Sequence, residues 1–204
     1  MSVFRTPYEK HDYKGGLDRG LVYFLLNKYF RKGWKVLEPF VGGEVVKEVA
    51  GELGIELEQV NFPRENARDL SKWEAGVFDG VIAHPPYWKA IKYSEEKADL
   101  SNVEGYDEFL KQMGEVMVEC SRVIKTGGWL ILISGDYRSG GVLYPIHAEL
   151  IEIGKNIKTL TLRDYVIWEL SATGTPFLGT EWMIMVNWVI IWQKTGGEDW
   201  WKDG

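Results

Sequence analysis

The stretch Val77–Trp88, VFDGVIAHPPYW, decides how this chain is read. An apolar run, Val77 to Ala83, reads as a buried strand and stops at His84-Pro85-Pro86-Tyr87. Two successive prolines lack N–H donors and fix φ, so neither a strand nor a helix runs on through them without special geometry. A rigid, aromatic-tipped corner therefore stands where a buried strand leaves its sheet, with a histidine at its entrance.

On either side of this corner, strand patterns alternate with helix patterns. Asp18 is placed to cap a helix that runs to about Phe30, with Gly33 as its stop. WKVLEPF is a short buried strand, and after Gly42-Gly43 comes the helical stretch EVVKEVAGELG. IELEQVNF is a second strand, ended by Pro63. After the Val77 strand, apolar residues at helical spacing predict a long helix from about Tyr106 to Ile124, closed by Thr126-Gly127-Gly128. WLILIS has the continuous hydrophobicity of a central parallel strand covered on both faces. Pro145 to Gly154 is a further helix. KTLTLRDYVIWEL and EWMIMVNWVIIWQ then predict an antiparallel hairpin. The expected fold is a three-layer α/β domain spanning residues 1–204, its mostly parallel sheet closed by a C-terminal hairpin. Ligands bind such sheets beyond the carboxyl ends of the strands, near the switch in strand order. That rule puts HPPY at a ligand crevice.

Composition sets bounds on function. At 204 residues the chain has room for one substantial core. The single cysteine, Cys120, excludes an internal disulfide and an all-cysteine metal site, and no metal is expected. Ten tryptophans predict core or pocket walls. No apolar run reaches the roughly 20 residues that span a bilayer, and no signal-peptide core opens the chain. A soluble, cytoplasmic protein without a membrane partner is expected. The net charge of −6 argues against a non-specific nucleic-acid coat, though local basic patches remain compatible with phosphate binding.

Two motifs carry chemistry. VLEPFVGGEVV, residues 36–46, places two glycines between a strand and a helix, which lets backbone approach a ligand at a helix N-terminus. Glu38, at the end of that buried strand, needs a donor partner, and a ligand ammonium or ribose hydroxyl could supply it. The second motif is HPPYW itself.

Taken in this order, Glu38-Pro39-Phe40-Val41-Gly42-Gly43 and His84-Pro85-Pro86-Tyr87 resemble the cofactor and catalytic motifs of the S-adenosylmethionine (SAM)-dependent DNA amino-methyltransferases, D-P-F-x-G-x-G and [D/N/S]-P-P-Y. SRVIKTGGWLILISGD and the final hairpin agree, and the resemblance runs over roughly residues 13–193. It implies a Rossmann-like class I methyltransferase fold and methyl transfer from SAM to adenine N6 or cytosine N4 of a flipped DNA base, in the manner of restriction–modification enzymes. His84 and the Pro85 carbonyl would hold the amine, with Pro86 fixing the corner. Tyr87 and Trp88 would form the stacking wall, and Lys89 and Asp136 would meet substrate. Glu38, Pro39, Phe40, Gly42, Gly43, Asn61 and Asp69 would hold the cofactor, Asn61 at the ribose and Asp69 at the adenine amine. Tyr13–Gly16 resembles a segment lining the methionine side.

Three departures stand out. Glu44 replaces the last glycine of the cofactor motif, His84 replaces Asp, Asn or Ser, and only about eight residues separate Asn61 from Asp69. A neutral imidazole has one acceptor nitrogen, so activity is expected to fall as pH drops through the His84 pKa. DNA is the expected partner, its target read either by loops of this chain, Lys89 to Gly105 and Ser134 to Leu143 above all, or by a homodimer or partner subunit. The alternatives are an RNA guanine-N2 methyltransferase and a catalytically silent methyltransferase-like subunit.

Overall fold

The computed structural model describes residues 2–7, 16–171 and 186–196. The Tyr13–Gly15 part of the expected methionine-side segment lies outside them.

Among the described residues nine strands and four α-helices follow one another: β1 (Ser2–Pro7), α1 (Arg19–Tyr29), β2 (Lys35–Glu38), α2 (Val45–Leu53), β3 (Glu56–Gln59), β4 (Phe78–Ala83), α3 (Tyr106–Val123), β5 (Ile124–Gly135), β6 (Tyr137–Ser139), β7 (Val142–Tyr144), α4 (Ile146–Lys155), β8 (Leu160–Ser171) and β9 (Val186–Lys194). Seven strands make one sheet in the order β1-β8-β9-β5-β4-β2-β3. Pairings within β3-β2-β4-β5 are parallel, and β9 runs antiparallel to both β5 and β8. The expected α/β architecture with its closing hairpin is present.

Alternation along the central strands creates the two outer layers. Val81, Ala83, Leu130 and Leu132 face α3 and α4, where Phe109, Met113, Val116 and Leu150 are buried. Ile82, Ile131 and Ile133 face α1 and α2, with Leu21, Leu25, Val46 and Val49. The period-2 geometry of strands makes consecutive residues serve opposite cores. The Asp18 cap forms as expected, its carboxylate accepting from the Leu21 N–H at 2.9 Å. Cys120 is buried on α3 and its thiol is pushed up to about 12 by burial, so it is inert. None of the described helices is long and apolar enough to cross a membrane.

Three features differ from the sequence expectation. β1 joins the sheet edge parallel to β8, with Phe4 stacked on Phe24 of α1 at 4.8 Å; a proline-ended segment is tolerated there because an edge strand has no outer neighbour to satisfy. β5 starts at Ile124, so Thr126-Gly127-Gly128 lies within a strand. The register shifts beside it, and a Cβ on Gly128 would sit 2.5 Å from the Asp79 carbonyl oxygen. The glycine pair therefore serves a bulge. Finally, within the expected loop from Ser134 to Leu143, β5 runs on to Gly135 and Tyr137–Ser139 pairs with Val142–Tyr144 as the small β6–β7 hairpin.

Gly80 of β4 is the tightest point of the sheet. A Cβ there would lie 2.2 Å from the Phe30 ring and 2.8 Å from the Trp129 carbonyl oxygen. One obstacle is backbone and cannot swing away. Gly80→Ala is expected to cost about 3 kcal/mol and lower Tm by roughly 6–12 °C; a calorimetric scan showing an unchanged Tm would contradict this packing.

Candidate active site

The order of strands changes direction between β2 and β4, and the residues that follow those two strands face each other across a cleft. One wall is the turn after β2: Glu38, Pro39, Phe40, Gly42 and Gly43. The opposite wall carries His84 and Pro86. The cleft holds about 910 Å³ of empty space including its open mouth, within the size range of small-molecule sites. A Cβ added to Gly43 would meet nothing within 4 Å, so this backbone borders open space.

Glu38 is 4% exposed, and its Oε2 accepts from Gln59 Nε2 at 2.7 Å. Burial pushes its carboxyl up to about 7, the Gln59 bond opposes the shift, and the charge of Glu44 adds to it. Glu44 does not line the cleft: its exposed side chain pairs with Lys47 at 2.8 Å. The residue in the last glycine position thus turns outward.

His84 is partly buried. Burial pushes its imidazole down to about 4, so the ring is neutral over the ordinary working range. Its Nε2 lies 2.7 Å from the Tyr87 hydroxyl. The Tyr87 phenol is pushed up by burial and remains protonated. Its ring is tucked against β5, where only a glycine leaves room: a Cβ on Gly135 would fall 2.4 Å from Tyr87 Cε2. Trp88 adopts φ +50°, rare for a bulky residue. Its indole is buried among Tyr106, Tyr137 and Tyr144 and donates from Nε1 to the Val103 carbonyl at 2.8 Å.

The remaining sequence candidates spread out. Asn61 is exposed beside the cleft, where Phe62 takes the lining position. Asp69 is exposed in a separate surface depression with Glu74 and Glu119, its Oδ1 accepting from the Ser71 N–H. The cleft wall expected of Asp69 is formed by Asn66 and Ala67. With no helix between β3 and β4, the segment folds as turns that carry Asp69 away. Lys89 is exposed and pairs with Glu104 at 2.8 Å. Asp136 lies at the carboxyl end of β5 and bonds His147 Nδ1 at 2.6 Å. Sequence reading did not single out Tyr93, Asp99 and Leu100, which complete the cleft. Asp99 is buried and accepts from Ser94 Oγ, Ser101 N and Ser101 Oγ, which fixes this loop. No periodicity marks the segment, so nothing in the sequence singled out these three residues within the Lys89–Gly105 loop.

The sequence model of one family, described as DNA methylase, matches residues 78–201. The chain belongs to the DNA methylase family. No curated protein matches it. Among solved structures, a candidate DNA modification methylase from Thermus thermophilus, solved with S-adenosyl-L-methionine, is 21% identical over 64% of this chain and 53% of that one, with a TM-score of 0.48. TrmN from Thermus thermophilus is 17% identical over 87% and 49%, with a TM-score of 0.50. A candidate rRNA methylase from Clostridium thermocellum is 10% identical over 86% and 96%, with a TM-score of 0.57. The last two likenesses show the class I methyltransferase fold. This chain spans about half the length of the two Thermus structures.

The cofactor of this family is SAM, and the cleft fits it by charge. Glu38 and Asp99 are both buried in its walls, and no lysine or arginine is among the described residues lining it. A ligand with a sulfonium, an ammonium and one carboxylate carries net positive charge and suits such a lining. Phe40, Val41 and Phe62 offer apolar surface for a purine.

Glu38 and His84 make opposite contributions to pH-dependent stability. The folded carboxyl of Glu38 binds its proton more tightly than the unfolded one, so its contribution falls as pH rises from about 4.5 to about 7. The lowered His84 pKa gives stability that is lost as pH falls from about 6.5 to about 4. Glu38→Gln should therefore gain on the wild type by about 2–3 kcal/mol between pH 5 and pH 7.5 in urea unfolding; a pH-independent gap would mean that Glu38 is not held protonated.

Proposed function

We propose that the whole chain is one methyltransferase domain that moves a methyl group from SAM to the exocyclic amine of a flipped DNA base, adenine N6 or cytosine N4. The observation that carries this reading is the facing of Glu38-Pro39-Phe40-Val41-Gly42-Gly43 and of His84 and Pro86 across one cleft at the carboxyl ends of adjacent parallel strands. SAM, when bound, supplies the activated methyl group. The chain's own task is to orient the amine, whose lone pair is delocalised into the base ring. Drawing the nitrogen toward tetrahedral geometry frees that lone pair, and two hydrogen-bond acceptors achieve it.

The Pro85 carbonyl is one acceptor, and His84 is the other. Nδ1 stands off Cγ as the oxygen of an asparagine side chain does, so a histidine presents an acceptor in the same place if its proton resides on Nε2. The 2.7 Å contact with Tyr87 supports that tautomer when Nε2–H donates to the hydroxyl. Tyr87 then acts by fixing the imidazole proton as well as by packing. Glu38, backed by Gln59, receives the ammonium or ribose end of the cofactor.

A second reading keeps the same fold without transfer. If the Tyr87 hydroxyl donates to Nε2, His84 presents an N–H to the cleft and the site lacks its second acceptor. The protein would then be a cofactor-binding subunit for another chain.

Tritiated-methyl transfer to unmethylated DNA and to transfer RNA, followed by nucleoside analysis, tests the assignment. Label in N6-methyl-2′-deoxyadenosine or N4-methyl-2′-deoxycytidine of DNA is expected; label only in RNA guanosine, or none with SAM bound, overturns it. Tyr87→Phe keeps the ring against Gly135 and removes the hydroxyl, so kcat should drop about tenfold with the SAM Kd unchanged. An unaltered kcat would remove Tyr87 from the mechanism.

The pH dependence moves accordingly. Because the His84 pKa lies near 4, kcat at saturating SAM should be flat from about pH 5.5 to 8. In calorimetric titration, SAM affinity should fall several-fold as pH drops from 8 to 6 and Glu38 takes up its proton, and Glu38→Gln should abolish that dependence. Equal pH profiles for the two proteins would assign the cofactor contact elsewhere.

A further inference from the structure

The β6–β7 hairpin has no counterpart in the chemistry derived so far, and its construction is unusual. It leaves the carboxyl end of β5 one residue after Gly135, against which Tyr87 packs. Its base is clamped to the catalytic corner: Tyr137 and Tyr144 pair across the ribbon and lie 5.5 and 4.9 Å from the Trp88 ring. Its tip is Gly140-Gly141, with φ of +57° and +77°, the pattern of a tight type I′ turn. A Cβ at either glycine would meet nothing within 4 Å.

Next to this bare tip stand Val142 and Leu143, 52% and 44% exposed. They are the only adjacent pair among the described large hydrophobic residues that are exposed. Neighbours on a strand point to opposite faces. A hairpin lying flat on the protein surface would hide one of the two, so their exposure sets the tip side of the ribbon away from the body, while Tyr137 and Tyr144 hold its base. Across from Leu143 is Arg138, whose buried Nε has no hydrogen-bond partner among the described residues.

From this geometry we infer that Val142 and Leu143 form an apolar wedge that enters a DNA duplex beside the target and fills the space left by the flipped base. The inference rests on the base-methylation reading above. Three residues of strand reach roughly 10 Å from the Trp88 clamp, comparable to the width of a DNA groove. Aliphatic side chains inserted between base steps are a general way to unstack DNA, and the side-chain-free Gly-Gly tip is slim enough to lead. The wedge matters only where a base must be pulled out of a pair. Its removal is therefore harmless wherever pairing is already broken.

The test uses one randomised oligonucleotide pool in two forms: fully paired by primer extension, and mismatch-rich after denaturation and rapid reannealing. Methyl transfer from labelled SAM is measured for the wild type, for Val142→Ser/Leu143→Ser, and for the apolar replacement Val142→Ile/Leu143→Met. The serine variant should lose at least tenfold in kcat/KM on the paired pool and less than threefold on the mismatch-rich pool, with unchanged SAM affinity. The apolar replacement should retain activity on both. Equal loss on the two pools, or no loss on either, overturns the wedge. So does loss that follows conversion of a wild-type dimer to monomers in sedimentation, which would make the tip a self-association surface. A wild type that binds SAM but labels neither pool defeats base methylation itself, an outcome separable from failure of the wedge.

Discussion

The site depends on the parallel pairing of β2 with β4. Val36 lies opposite Gly80 and Leu37 opposite Val81. From that register Glu38 comes one residue later on one strand and His84 three residues later on the other, so both ends open into the same crevice. The pairing tolerates no side chain at Gly80, because the Phe30 ring and the Trp129 carbonyl oxygen occupy that space. A glycine with an ordinary backbone conformation in mid-strand is thus a packing requirement of the active edge. The helix on one face, the neighbouring strand β5 and the position of the cleft are all fixed at this one contact.

A second constraint is electrostatic. Burial disfavours charge of either sign, so it raises Glu38 and lowers His84. Both groups therefore rest near neutrality in a cleft whose walls hold no cation among the described residues. The two groups then divide. Near neutral pH Glu38 is poised to ionise when a cationic ligand arrives, which couples ligand charge to the protein. His84 has no such partner and remains an uncharged hydrogen-bonding group. A carboxylate in its place would be penalised by the same burial, and the imidazole avoids that cost while keeping an acceptor nitrogen at the same distance from the backbone.

The layers, the helix caps and the crevice were legible in the sequence because each rests on a local pattern: alternation in VFDGVIAH, helical spacing from Phe109 to Val123, Asp18 before an apolar run. What escaped depended on tertiary placement. β1 is too short and too isolated from its partner β8, some 160 residues away, to be read alone. The path of Tyr87 was decided by the absence of a side chain at Gly135, far along the chain, and this brings its hydroxyl to His84. Asp69 was placed by its distance from His84, but the turns between β3 and β4 carry it to another depression and put Asn66 and Ala67 at the cleft. The β6–β7 hairpin was hidden by its own brevity, three residues on each side of two glycines.

Where the chain invests its irregular segments follows one logic. The connection between β3 and β4 is reduced to turns, whereas long segments leave the carboxyl ends of β4 and β5: residues 84–105 with their two 3₁₀ turns, and residues 136–145 with the hairpin. These are the ends at which an open α/β sheet presents ligands to chemistry. Trp88 ties the two segments together, since its ring touches Tyr106 on one side and both hairpin tyrosines on the other. Its strained φ is held by that packing, and it comes directly after the HPPY corner. A displacement of the hairpin must therefore press on the residue adjoining Tyr87, and through Tyr87 on the His84 hydrogen bond. The corner in VFDGVIAHPPYW is rigid for that reason: it is the junction at which an outer ribbon and the His84 imidazole share one mechanical support.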